Sequence, residues 1–159
     1  MKYISVNSLE DFEFLESELT LNEWSNGSLS VIAQKLNIHD CTDQNPYNID
    51  MEIRNARITF HGFEITSYEG SKEIPKERSG CCNNDSGIIS LEGTEALERL
   101  LIQLRYGVRI LTFDKKDGQS FIIDGFSSDP YFNVCFTFEK VTIEWDEYAC
   151  PAWYTSGNN

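Results

Sequence analysis

The residues best suited to bind a metal ion in this chain are two histidines and a few cysteines. His39 lies two residues before Cys41, His61 is the second histidine, and Cys81 and Cys82 are adjacent. Zinc sites usually draw on cysteines that are separated by two residues, and adjacent cysteines rarely bind one ion together. Because that spacing is missing, we expect no metal site and interpret the five cysteines as free thiols.

Carboxylates are the second group that could do chemistry, since a pair of them can hydrolyse a glycosidic bond. Those near one part of the predicted sheet are Asp124, Asp129, Glu144, Asp146 and Glu147. Most acids of an acidic protein are solvated, and the two histidines follow no known catalytic pattern. We therefore expect no enzymatic activity. An enzyme that uses the carboxylates near Asp124 and Glu144 is an alternative.

The overall charge favours some partners and disfavours others. Thirteen Lys and Arg residues oppose 26 Asp and Glu residues, which gives a formal net charge of −13. Such a charge repels nucleic acid and anionic membranes and attracts basic partners. The glycines form no phosphate-binding pattern either. We expect no nucleic acid, no membrane and no cofactor among the partners.

A helix from about residue 95 to residue 106 is the clearest element that the sequence predicts. Thr94 is placed to cap its start, and Gly107 to end it with a left-handed residue. A helix this short needs a partner surface, which we expect to be the sheet formed by the following strands. The apolar stripe of the helix consists of Leu97, Leu100, Leu101 and Leu104.

Alternating apolar residues predict strands on both sides of this helix. Asn26-Gly27 and Asp117-Gly118 are each typical of a hairpin turn. At Glu139-Lys140 the alternation changes phase, which predicts a bulge or a tight bend. The same spacing recurs around Arg54-Asn55 and indicates a repeated bulged strand.

These elements predict one α+β domain over residues 1–159, with a mainly antiparallel β-sheet or sandwich and one amphipathic helix packed on it. The segment 70–87 is predicted to be a long polar loop, and 155–159 a frayed tail. The first residues show no signal-peptide pattern, and no apolar stretch is long enough to span a bilayer. We therefore expect a cytoplasmic protein.

Binding of another protein is the class of function that best fits these observations. Acidic side chains would speed the encounter with a basic partner, and Tyr or Trp anchors would hold the complex. A small-ligand carrier, with the β scaffold closed around a cavity, is a further alternative. The predicted partner-contact residues are Asp124, Asp129, Glu144, Asp146, Glu147, Tyr148 and Trp153.

The chain also resembles the small acidic immunity proteins of bacterial toxin–immunity systems, including those of contact-dependent growth inhibition. The resemblance lies in the Asn26-Gly27 hairpin, the strand from Ile49 to Phe60, the Leu-rich helix 95–106 and the ending from Val141 to Tyr148. It implies a cytoplasmic protein that binds and neutralises a cognate toxin, often a nuclease, without catalysis of its own.

Overall fold

Two antiparallel sheets and one α-helix make up the part of the chain that the structure, a computed structural model, describes: residues 1–71 and 87–157. The helix packs on the larger sheet. The fold is therefore α+β with mainly antiparallel strands, which confirms the predicted fold class. Most of the predicted loop 70–87, with Cys81 and Cys82, lies outside the described residues.

Fourteen strands are present in the described ranges, together with helix α1 (Gly93–Tyr106) and two short 3-10 turns, Leu9–Asp11 and Trp153–Gly157. The second turn includes the first residues of the predicted frayed tail. The strands are β1 (Tyr3–Val6), β2 (Phe12–Glu13), β3 (Glu18–Ser25), β4 (Ser28–Gln34), β5 (Leu36–Ile38), β6 (Met51–Ile53), β7 (Ala56–His61), β8 (Glu64–Ser71), β9 (Ile88–Leu91), β10 (Val108–Asp117), β11 (Ser120–Phe126), β12 (Phe132–Thr137), β13 (Lys140–Trp145) and β14 (Tyr148–Pro151).

The small sheet continues four strands of the large one. The large sheet has the order β1-β13-β7-β4-β3-β10-β11-β12-β8-β9, and the small sheet has the order β14-β6-β5-β2. Strands β13, β7, β4 and β3 are each joined by a short bend to β14, β6, β5 and β2, respectively. The two sheets therefore form one ribbon of four strands that is bent along a line.

This bend explains the phase change at Arg54-Asn55. The chain passes there from β6 to β7, so the buried side chains of Ile53 and Ala56 belong to different sheets. The predicted repeated bulged strand is wrong in this respect, because a change of sheet takes the place of a bulge. At Glu139-Lys140 the chain also bends, and it passes from β12 to β13, which do not pair with each other.

Aromatic side chains from distant strands meet inside the curved large sheet. The ring of Phe60 on β7 lies 5.7 Å from that of Phe136 on β12 and 6.5 Å from that of Phe113 on β10. Trp145 on β13 is fully buried and stacks on Tyr3 of β1 at 5.5 Å. These contacts join both halves of the sheet in one core.

Helix α1 covers part of this core. It begins before the predicted residue 95, with Glu92 rather than Thr94 at the capping position. Gly107 ends it as predicted, with φ of 91° and its amide bonded to the Leu104 carbonyl. The buried face packs mainly on β3 and β8, which precede the helix in the chain, rather than on the strands that follow it. The buried residues are Ala96, Leu100, Leu101, Gln103 and Leu104.

The two predicted hairpins are confirmed. Asn26 and Gly27 have φ values of 50° and 70° and join β3 to β4, while Gly118 has φ of 50° and joins β10 to β11. In the β3–β4 hairpin, positive φ at both central residues, Asn26 and Gly27, matches the twist of the flanking strands. Across the described residues, no helix combines the length and the apolar character that crossing a membrane requires.

Candidate functional site

The seven predicted contact residues fall into two separate groups. Asp124 lies on β11, and Asp129 lies in the turn before β12. Four strands (β7, β4, β3 and β10) lie between β11 and β13, so these two aspartates are distant along the sheet from the rest. The other five residues follow one another on β13 and in the C-terminal segment: Glu144, Asp146, Glu147, Tyr148 and Trp153.

Asp129 does not lie on a contact surface. Its side chain is buried, with 3% of its surface exposed, and the Arg99 guanidinium donates to both carboxylate oxygens at 2.8 and 3.2 Å. The Tyr68 hydroxyl and the Gln103 side chain complete this network. Burial and the neighbouring Asp129 raise the pKa of Tyr68, and the bond to Asp129 raises the pKa of Arg99. The prediction that Asp129 contacts a partner is therefore wrong.

Asp124 joins three strands on the outer face of the large sheet. Its carboxylate accepts hydrogen bonds from Thr112 on β10 at 2.6 Å, from Asn133 on β12 at 2.6 Å and from Tyr131 at 2.8 Å. Burial alone would raise the pKa of Asp124, but these bonds outweigh it and hold the pKa below its ordinary value. Asp124 and Glu144 are not brought together as an acid–base pair.

The acids near the C-terminus are partly compensated by positive charge. Asp146 accepts a bond from the Lys2 amide at 2.7 Å and lies 3.7 Å from the N-terminal ammonium. Glu147 lies 3.1 Å from Arg54, and Glu144 is the cross-strand neighbour of Arg57. These acids therefore carry less of the acidic field than the sequence suggests.

The loop 39–50, which joins β5 to β6, was not predicted as part of a site. Its buried Asn45 holds the loop together from within. The Asn45 side-chain amide donates to the carbonyls of His39 and Ile49 at 3.2 and 3.0 Å, and its carbonyl oxygen accepts from the Tyr47 amide at 3.0 Å. The loop is thus a preformed surface element.

Exposed hydrophobic side chains gather around this loop. The Tyr148 hydroxyl donates to the Gln44 carbonyl at 2.6 Å, and the Tyr148 ring contacts those of Tyr47 and Tyr3 at 5.4 and 5.3 Å. We call the surface formed by residues 1–6, 39–50 and 146–153 the loop face. It holds six of the eleven large hydrophobic side chains that are exposed in the described residues: Met1, Ile4, Val6, Tyr47, Ile49 and Trp153.

Several acids accompany these hydrophobic groups. Asp40 and Asp43 are exposed on the loop, and Asp43 shares with Asp11 a cleft of about 290 Å³ beside β1. Burial, with the nearby charges of Glu10 and Asp43, raises the pKa of Asp11. Within the described residues, no Lys or Arg forms an ion pair with any of these acids.

His39 and Asp50 lie where the loop meets the C-terminal segment. The His39 Nδ1 atom lies 3.1 Å from Asp50 Oδ2, and the Tyr154 hydroxyl donates to the same oxygen at 2.8 Å. Burial alone would raise the pKa of Asp50, yet the bonds from Tyr154 and His39 keep it below its ordinary value. The Asp40 amide donates to the other oxygen at 2.9 Å. Asp50 therefore clamps both ends of the loop to the C-terminal segment.

The described residues contain no group of three or more His, Cys, Asp or Glu side chains that could hold a metal ion. Comparison of the chain with known proteins found no match among family models, curated proteins or solved structures.

Proposed function

We propose that this chain is an immunity-type protein, which binds a basic protein toxin through the loop face and blocks its activity. The observation that carries the proposal is that one preformed surface combines exposed hydrophobic side chains with acids that form no ion pair with a Lys or Arg of the described residues. Exposed apolar patches with a polar rim are typical of protein–protein contact sites.

Trp153 and Tyr47 are the proposed anchors of the interface. Their side chains are 55% and 46% exposed. Trp and Tyr carry much of the binding energy in known interfaces, because they bury a large area and lose little conformational entropy. Tyr148, which is half-buried, supports Tyr47 by ring contact.

Charge selects the partner. Asp40 and Asp43 add to the field of a chain whose formal charge is −13, so a basic domain associates faster than a neutral or acidic one. A toxin that acts on nucleic acid needs a basic surface to bind its substrate. An acidic protein that covers such a surface competes with the substrate, and this makes a nuclease the favoured class of toxin.

Preorganisation of the loop favours tight binding. Asn45 forms hydrogen bonds within the loop. At the ends of the loop, Asp50 contacts His39 and accepts a hydrogen bond from Tyr154 of the C-terminal segment. A surface that is already ordered loses less entropy on association than a mobile one.

The test begins with capture of the partner on the full chain from a lysate of the source organism at low salt, followed by mass spectrometry and repetition at high salt. The purified partner is then titrated with Trp153→Ala and, as a matched control, Tyr106→Ala, whose aromatic side chain is 75% exposed at the far end of α1. We expect Trp153→Ala to weaken binding about tenfold or more and the control to bind as the wild type does.

Charge is tested by reversal at Asp43→Lys, with Glu98→Lys on the exposed face of α1 as the control of equal net charge. The first variant should slow association, and the second should slow it less. Binding at the loop face would be contradicted if each variant and its control changed partner binding equally. An association rate that does not depend on salt would contradict it too. A partner whose activity continues in the complex would contradict the immunity function.

A further inference from the structure

A groove of about 540 Å³ opens between the 3-10 turn that follows β1 and the β10–β11 hairpin. Protein interiors are close-packed and leave few voids larger than a water molecule. A cavity of this size instead falls in the range that binds small organic molecules. It shares no residue with the loop face. Five phenylalanines contribute to its lining: Phe12, Phe14, Phe113, Phe121 and Phe138.

Two stacked ring pairs form the aromatic wall of this groove. Phe14 stacks on Phe113 with centroids 4.5 Å apart, and Phe121 stacks on Phe138 at 4.8 Å. Phe113 and Phe121 join the two pairs edge to face at 6.1 Å. Phe113, Phe121 and Phe138 are half-buried, so part of each ring remains accessible.

The rim of the groove is polar and mainly acidic. Three carboxylates, those of Glu10, Asp114 and Glu139, oppose one ammonium group, that of Lys115. All four side chains are exposed. Among the described residues, none of the three carboxylates forms an ion pair with Lys or Arg. The rim therefore favours a cation over an anion.

We propose that this groove binds a small organic cation that carries an aromatic ring, an arylalkylammonium compound. The ring of the ligand would pack against the phenylalanines, where offset and edge-to-face contacts are favourable. Its ammonium group is attracted both by the negative faces of these rings and by the rim carboxylates. This ligand site is independent of the proposed partner binding.

The test is a titration of the full chain, labelled with ¹⁵N, by three probes of similar size that differ in charge. They are 2-phenylethylammonium, neutral 2-phenylethanol and anionic 3-phenylpropionate. We expect the amide signals of Phe113, Lys115 and Phe121 to shift with the cation. The cation should bind about tenfold tighter than the alcohol, because an exposed cation–π contact and the rim carboxylates should each contribute about threefold. The anion should bind most weakly.

A double variant, Asp114→Asn with Glu139→Gln, separates charge recognition from simple apolar binding. It should weaken binding of the cation about threefold and leave the alcohol unchanged. The matched control is Asp117→Asn with Glu98→Gln, which removes two exposed carboxylates outside the groove and should change neither affinity.

Equal affinity for the three probes, tightest binding of the anion, or shifts confined to other surfaces would overturn the proposal. Because the groove and the loop face share no residue, any of these results would leave the proposed immunity function standing.

Discussion

Asp124 and Asp129 are five positions apart in the chain, yet their surroundings differ completely. Asp129 is enclosed and paired with Arg99, whereas Asp124 lies half-buried on the outer face of the sheet and accepts hydrogen bonds from the neutral side chains of Thr112, Tyr131 and Asn133. Their residue type alone does not reveal this difference. It depends on Arg99, which helix α1 places opposite Asp129, and on Thr112 and Asn133, which the strand register places beside Asp124.

Replacing Asp129 should destabilise the fold. In Asp129→Ala the Arg99 guanidinium, whose side chain is 20% exposed, loses its carboxylate, and the Tyr68 hydroxyl loses its acceptor. We expect the free energy of unfolding, measured by urea denaturation, to fall by about 3 kcal/mol. The exposed Asp117→Ala at the β10–β11 turn serves as control and should change it by less than about 0.5 kcal/mol. Similar values for the two variants would contradict the structural role of Asp129.

The role of Asp124 should depend on pH. Its pKa in the folded state lies below the ordinary value, so the ionised form stabilises the fold at neutral pH. This contribution is lost as the pH falls through the folded-state pKa. We expect Asp124→Asn to be less stable than the wild type at pH 7 and the difference to shrink below about pH 4. A stability difference that stays constant between pH 7 and pH 3 would contradict the prediction.

At the level of elements, the loop 39–50 depends on one side chain. Asn45→Ala removes the bonds to the His39 and Ile49 carbonyls and to the Tyr47 amide. We expect faster amide hydrogen exchange throughout the loop and several-fold weaker partner binding, because a loosened loop must be ordered again on association. Asn48→Ala, an exposed residue of the same loop, is the control. Equal exchange rates in both variants would show that Asn45 does not hold the loop.

The bends between the sheets impose an unusual backbone conformation. Glu16 lies before β3 with φ of 68°, and Lys35 lies after β4 with φ of 56°. This left-handed region costs a residue with a Cβ atom about 1 kcal/mol or more, whereas glycine adopts it freely.

At Glu16, glycine should therefore be better tolerated than alanine. We expect Glu16→Gly to be about 1 kcal/mol more stable than Glu16→Ala in urea denaturation. At Glu69, an exposed residue of β8 that is paired with Asn133 on one side and Ser90 on the other, the order should reverse, because glycine weakens a regular strand. The same order at both positions would contradict the strain at the bend.

Elements that depend on neighbouring residues were predictable from the sequence, whereas those that depend on distant partners were not. The Asn26-Gly27 hairpin and the leucines of α1 are local signals. In the sequence, the bend at Arg54-Asn55 is visible only as a change of phase in the alternation of apolar residues, which a bulge explains equally well. Strands β5, β6 and β14 form a separate sheet because they pair with one another. These pairs join residues that are far apart in the chain, such as Tyr148 and Ile53.

At the scale of the whole molecule, the candidate site too could be predicted only where its residues are close together in the chain. Tyr148 and Trp153 were predicted because they lie in one short stretch near the C-terminus. The loop face also needs Ile4, Tyr47 and Asp43, which meet this stretch only because β1 pairs with β13 and Tyr148 contacts the loop. The signal that could have indicated the loop is Tyr47 and Ile49, two large apolar residues within an otherwise polar segment.

The excess of negative charge is expected to lower the stability of the fold while it speeds association with a basic partner. A charge of −13 destabilises the compact state through repulsion, most strongly at low ionic strength, where the screening length is about 30 Å at 0.01 M. If the loop-face acids serve association, their removal should stabilise the fold and impair binding at the same time.

The double variant Asp40→Lys with Asp43→Lys changes the formal charge from −13 to −9, since each replacement adds two positive charges. We expect its melting temperature at low salt to rise by a few degrees, and its association rate with the captured partner to fall about tenfold. The matched control, Glu64→Lys with Glu98→Lys, has the same net charge and alters exposed sites away from the loop face. It should gain similar thermal stability and keep most of the association rate. If both variants slow association equally, net charge rather than the placement of acids on the loop face governs the encounter, and the loop face loses its electrostatic role.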